Sequence, residues 1–252
     1  AGRIEVTVLL IIGLLIVSLF TAQVVSIFVR MAQRQGRLAL KPPGSRFENH
    51  IVILGINSHL DRIISQLHAA LHGQAFILVV SQTAEELYNP NSRIYRRVFA
   101  LQGDPCDQAT LQAADIPDAA RVMILSDEQA ADHQARDNRT MMATLAVRCL
   151  NPSVPIVSEL LAGGSLRRAA ILHDVEYVVS QLYGERMACQ AVLSPGISEV
   201  YYDLMTFSDD TNEFYTIYVP TELVGQSYQV AQSHFFDRDD EAITLVGLAL
   251  RD

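Results

Sequence analysis

The chain has 252 residues, half of them hydrophobic, and 19 Lys and Arg against 28 Asp and Glu give it a formal net charge of −9. That acidic balance argues against a nucleic-acid coat, which needs a basic stripe, and no nucleic-acid partner is expected. Cys106, Cys149 and Cys189 lie far apart with no C-x-x-C spacing, which argues against a disulfide framework and reads as reduced thiols in a cytosolic compartment.

From Val6 to Val29 the sequence is apolar, without a charge or a proline. As a helix it spans roughly 36 Å at about 1.5 Å per residue, enough for a hydrocarbon core of about 30 Å. It is longer than the h-region of a signal peptide, about 7–15 residues. Arg30, Arg34, Arg37, Lys41 and Arg46 follow the run and only Arg3 precedes it. The positive-inside rule therefore places the residues after about 30 in the cytoplasm, under a cell membrane. Ala1 in place of Met reads as the start of a piece, with membrane sequence expected upstream. Ser18, Thr21, Gln23 and Ser26 gather in the second half of the run. Two readings are open for them: bonds to their own helix and its neighbours, or the lining of a water-filled path. Residues 1–35 are read as this membrane helix and 36–46 as a linker. Pro42-Pro43-Gly44 ends any helix and favours a stiff, extended segment.

Beyond the linker, short β-rich runs alternate with helical patterns. The strands are read at His50–Gly55, Ala75–Val80, Val98–Leu101, Arg121–Leu125, Val154–Ser158 and Glu176–Val179. Leu60, Ile63, Ile64, Leu67 and Leu71 recur at helical spacing, and Asn138–Leu150 forms a long helical segment. Near-continuous apolar strands alternating with helices predict a doubly wound, Rossmann-like parallel sheet over 47–181, with ligands at the carboxyl ends of its strands.

The first turn, Gly55-Ile56-Asn57-Ser58-His59-Leu60, keeps one glycine of the G-x-G-x-x-G pattern. Gly55 permits a tight turn, and the amides after it open a helix whose N-terminus attracts phosphate. The second strand ends in Ser81-Gln82, where a site built for NAD prefers a carboxylate on the ribose. Gln102-Gly103-Asp104 and Ser126-Asp127-Glu128 follow the third and fourth strands, where a ligand sits. No Tyr-x-x-x-Lys or His-Asp pattern accompanies His59, His68, His72 or His133, and Lys41 is the single lysine. No catalytic residue is assigned and no enzyme is expected.

The run His50–Gly55, then Gly103-Asp104-Pro105 with Leu111 and Ala114, then Ala119–Leu125 resembles the RCK (TrkA-N-like) domain. Asp137-Asn138-Arg139-Thr140, Ala146-Val147-Arg148, Asn151-Pro152 and Ile156-Val157-Ser158-Glu159 continue the likeness. It extends over about 47–220, and the order and spacing carry it. The form is that of bacterial ligand-gated potassium channels and the plant channels Castor and Pollux, where a pore-lining inner helix precedes the domain.

The resemblance implies a homotetramer permeated by K⁺, with paired RCK domains forming a gating ring. It implies regulatory NAD or adenine nucleotide, held by Gly55, Asn57, Ser58, Ser81, Gly103, Asp104, Ser126 and Asp127. Glu159 is placed at the end of its strand, toward the same cleft. Arg93, Arg96 and Arg97 are open to two readings, a phosphate contact or a solvated basic face. Over 182–220 it implies crossover helices, Leu182–Leu193 and Ile197–Met205, exchanged between paired domains. Residues 221–252 read as the start of a smaller C-lobe. In Phe207–Glu213, Asp209, Asp210 and Glu213 resemble an acidic stretch that binds Ca²⁺, with Asp174 and Glu176 as the further oxygens that such an ion needs. The other reading of that stretch is a polar loop.

The expected function is a channel subunit whose cytoplasmic domain converts nucleotide or Ca²⁺ binding into a pull on the pore-lining helix. The alternatives are a membrane-anchored NAD-dependent oxidoreductase and an NAD-sensing regulatory subunit of a potassium transporter.

Overall fold

The computed structural model describes residues 38–84, 95–127, 132–208, 214–236 and 243–248. The expected membrane helix lies outside them, as do Arg93, Asp209, Asp210 and Glu213. Among the described residues no helix is long and apolar enough to cross a membrane.

Seven strands form one sheet: β1 (Ala39–Leu40), β2 (Ile51–Leu54), β3 (Ile77–Ser81), β4 (Val98–Gln102), β5 (Arg121–Ile124), β6 (Ile156–Leu160) and β7 (Val175–Val179). Their order is β1-β4-β3-β2-β5-β6-β7, and every pair is parallel. The strand order reverses between β2 and β5, where a doubly wound sheet opens a crevice.

Alternate residues of each central strand feed opposite cores, because strand side chains have a period of two. Val52, Leu54, Leu78, Val80, Val122 and Ile124 join Leu111, Ala143 and Val147 on one face. Ile51, Ile53, Ile77 and Val79 join Leu60 and Ile64 on the other. Covering both faces is what turns the strands into continuous apolar runs. Helix α1 (Leu60–Ala70) supplies the second face. Helices α2 (Gln108–Ala113) and α3 (His133–Leu150) supply the first. Asp107 and Asp132 cap α2 and α3, accepting from Thr110 N at 2.9 Å and Ala135 N at 2.7 Å.

Two elements depart from the expected strands. The segment read as linker contributes β1, paired with β4 through Ala39–Phe99 and Leu40–Ala100. Strand β6 begins at Ile156, because Pro155 has no N–H to give a ladder, and its carbonyl accepts from Val122 N at 3.0 Å. Glu159 is therefore the penultimate residue of β6, near the strand end where it was placed.

After a one-turn helix α4 (Leu166–Ala169) and β7, helices α5 (Ser180–Leu193) and α6 (Ile197–Met205) follow. Gly196 turns the chain between them at φ +90, a left-handed conformation open to glycine. Neither helix holds a buried residue. The chain divides into two compact units, 1–211 and 212–252. In the second, helix α7 (Tyr228–Phe236) is described, and Tyr228 Oη donates to Leu245 O at 2.8 Å.

Candidate functional site: the crevice at the strand ends

Gly55 closes β2 at φ +86, and a Cβ built on it lies 2.8 Å from Leu125 O. Glycine is required there twice, by backbone conformation and by the approach of β5. Gly55 N donates to Val80 O at 2.9 Å and Leu125 N to Leu54 O at 2.8 Å. The tips of β3, β2 and β5 are thus laced into one floor.

Above that floor Glu159 gathers three segments. Its Oε2 accepts from Asn57 Nδ2 at 2.8 Å and from Ser126 N at 3.0 Å. Its Oε1 accepts from Ser180 Oγ at 3.0 Å. One carboxylate therefore ties the turn after β2, the turn after β5 and the first residue of α5. Asn57 Oδ1 also accepts from His59 N at 3.0 Å, an Asx turn that leads the chain into α1. The side-chain amide nitrogen of Asn57, one of the expected nucleotide contacts, is thus engaged by Glu159.

A second cluster centres on Arg139, on α3. Its Nη2 donates to Asp104 Oδ1 at 3.0 Å, and its Nε lies 3.8 Å from Asp127 Oδ2. Asp104 Oδ1 also accepts from Cys106 N at 2.9 Å, and Oδ2 from Gln82 Nε2 at 3.0 Å. Burial, with Asp104 adding to it, pushes the Cys106 thiol above its ordinary pKa, so it is held as a neutral thiol. Leu54, Gly55, Pro105, Asp127, Arg139 and Thr140 line a cavity of about 10 Å³ between the clusters.

The structure brings Gly55, Asn57, Asp104, Ser126, Asp127 and Glu159 to one end of the sheet. Others of the expected set stand apart. Ser81 is fully buried at the end of β3, where its Oγ accepts from Thr83 N at 3.3 Å. Gly103 faces α2: a Cβ there meets Thr110 Cγ2 at 2.4 Å. Ser58 is exposed. Arg96 and Arg97 precede β4 and so lie at the amino end of the sheet, away from the crevice. Arg97 donates to Gln74 O at 2.6 Å and stacks on Phe76. Asp174 sits at φ +60 with its carbonyl accepting from Arg148 Nη2 at 2.8 Å, and Glu176 is exposed on β7. Among the described residues no group of three or more His, Cys, Asp or Glu is placed to hold a metal ion. Arg139 and Thr140 were quoted for the resemblance but given no site role, and Ser180 was not singled out, since each meets the crevice only through tertiary packing.

The crevice fits a phosphorylated ligand in one respect. The Ser126 and Thr140 hydroxyls and Arg139 Nε are buried without a hydrogen-bond partner. Buried polar groups in this state call for an acceptor.

The linker is also built in. Lys41 Nζ donates to Ala113 O and Asp115 Oδ2, both at 2.5 Å, and lies over the Phe47 ring. Asp115, at φ +54, also accepts from Phe47 N at 2.7 Å. Arg46 donates twice to Asp118 Oδ2, at 2.9 and 2.7 Å. None of the expected site residues lines the cavity of about 540 Å³ beneath this segment.

Residues 46–158 match the family described as the calcium-activated potassium channel slowpoke-like RCK domain. That segment is similar to an RCK domain. Over 216 residues the chain is 25% identical to the calcium-gated potassium channel TvoK of Thermoplasma volcanium, covering 84% of this chain and 59% of that protein. It is 27% identical over 199 residues to the ion channel POLLUX of Lotus japonicus, covering 72% of this chain and 20% of that one. The chain thus spans little more than half of TvoK and a fifth of POLLUX. The chain is similar to the structure of the human SLO3 gating ring, with a TM-score of 0.50 at 12% identity. The likeness covers 69% of this chain and 31% of that one, and it supports the fold.

Proposed function

We propose that this chain is a gating subunit of a homotetrameric potassium channel in the cell membrane, with the RCK lobe on the cytoplasmic side. A nucleotide of the NAD or adenine type occupies the crevice between β2 and β5. Gly55, Asn57, Asp104, Ser126, Asp127 and Glu159 shape its walls, and Ser58, Ser81 and Gly103 flank it. Ca²⁺ is the second regulatory ligand, which the calcium-gated relative TvoK supports. Asp174, Glu176, Asp209, Asp210 and Glu213 remain its proposed ligands. The relatives named above are ion channels, which supports a regulatory site over an oxidoreductase.

The observation that carries the reading is the seating of the linker. Ala39–Leu40 is hydrogen-bonded into the sheet, and Lys41 is locked on Asp115. A displacement of the lobe is therefore delivered to residue 38 without slack. Ligand shifts such an equilibrium only by its differential affinity for the two states, about 1.4 kcal/mol per tenfold. The test is potassium current through the reconstituted channel during titration with ADP, NAD and Ca²⁺. Open probability is expected to change severalfold with at least one nucleotide. Indifference to all three ligands overturns the reading.

A further inference from the structure

Three buried polar atoms at this end of the sheet have no hydrogen-bond partner: Thr140 Oγ1 and Arg139 Nε, which belong to residues lining the small cavity, and Ser126 Oγ, between the cavity-lining residues Leu125 and Asp127 in sequence. Ser126 and Thr140 are each 2% exposed. Arg139 and Thr140 line the small cavity whose opposite wall is Gly55. Arg139 Nε can only donate, and at 3.8 Å Asp127 Oδ2 is too far to accept from it. The two hydroxyls can donate as well. A group that satisfies all three is an anion with several oxygens, and guanidinium geometry suits a phosphoryl group. Asp104 holds the other side of the guanidinium at 3.0 Å. The side chain is thus oriented before any ligand arrives.

We propose that Arg139 and Thr140, with Ser126, are ligand-contacting residues that receive a phosphoryl group in the crevice. The proposal rests on the nucleotide reading given above. The cavity of about 10 Å³ has room for about one water. Entry of a phosphoryl group therefore draws Arg139 off Asp127, the longer of its two pairs, and keeps the bond to Asp104. Binding in this way moves the start of α3. That helix also carries Asp137, a fully buried carboxylate that accepts from Leu161 N at 2.8 Å and Ala162 N at 3.2 Å. Occupancy of the crevice thereby reaches the carboxyl end of β6.

The test is calorimetry on the full chain in detergent micelles with three probes: ADP, adenosine and inorganic pyrophosphate. Arg139→Gln is expected to weaken ADP by about 10- to 100-fold, the worth of a hydrogen bond to a charged group, and to leave adenosine unchanged. Thr140→Val, which keeps both ion pairs of Arg139, is expected to weaken ADP by about 3- to 10-fold. ADP affinity equal to wild type in both variants overturns the proposal. Equal loss of ADP and adenosine in Arg139→Gln also overturns it, since Arg139 is then only a strut between Asp104 and Asp127. If ADP binds no better than pyrophosphate, and pyrophosphate still weakens in Arg139→Gln, the phosphoryl site stands and the nucleotide reading falls. If the wild type takes up none of the three, both fall.

Discussion

At His50 burial sets the protonation state. The ring is fully buried, with Nε2 on Ala114 O at 3.0 Å, and desolvation holds its pKa below the ordinary 6.5. His68 is lowered for the same reason. The unfolded chain takes up these protons near pH 6.5, while the folded chain takes them up only at lower pH. Stability is therefore full above about 6.5 and falls as pH drops through the lowered folded values. Thermal melts between pH 7.5 and 5 are expected to show this decline, with a shallower slope in His50→Gln. An unchanged slope in that variant refutes the assignment to His50. Residue-level roles were legible where they depend on backbone. Gly55 is an example, its place after an apolar run being enough to mark a turn. They were illegible where they depend on partners far along the chain. Asn57 was placed among the nucleotide contacts, yet its amide nitrogen is spent on Glu159, and no spacing rule links residues 102 apart. Arg139 was quoted for the resemblance but given no site role, because it lies 35 positions after Asp104 and meets it only once the intervening strand and helices have folded.

The sheet was legible at the level of elements because both of its faces are buried, which leaves strands as plain apolar runs between helical patterns. The edge strand was not. Two residues, Ala39 and Leu40, carry no periodicity, and Pro42-Pro43-Gly44 directed attention to stiffness rather than to pairing. What fixes β1 is Lys41, whose buried ammonium meets a carboxylate held in a left-handed turn. Lys41→Met keeps the stem and removes the charge. Breaking one side of a buried pair costs about 3 kcal/mol, or roughly 6–12 °C in Tm for a unit of this size. Faster tryptic cleavage at Arg46 is expected alongside, with ADP affinity unchanged and the current response to ligand blunted. A variant that gates normally shows that the seat of the linker is not the transmission.

On the scale of the whole molecule, α5 touches the core through Leu182 at its start, and beyond that α5 and α6 expose apolar side chains. Leu193 is 77% exposed and Tyr202 73%, and neither helix buries a residue in this chain. Contiguous exposed apolar surface marks an interaction site, in keeping with the proposed pairing of RCK domains through these helices. Leu193→Asp combined with Tyr202→Asp is expected to leave the chain folded, since exposed sites contribute within about 0.5 kcal/mol. The same variant is expected to abolish self-association in analytical ultracentrifugation. Assembly like that of the wild type discards the paired arrangement. The resemblance implied these helices, but which face meets a neighbour is set by a second copy and so cannot be read from one chain.

The shortness of β1 has a mechanical consequence for any channel built this way. On the gating reading, tension arriving from residue 38 meets first a seam of two paired residues and then the Lys41 clasp. Under excessive tension that joint peels before the seven-stranded body yields, like a fuse, and the lobe survives to be re-seated. The strength of that seam caps the force one subunit can deliver, so a stiffer gate demands more subunits pulling together rather than a tighter-binding ligand.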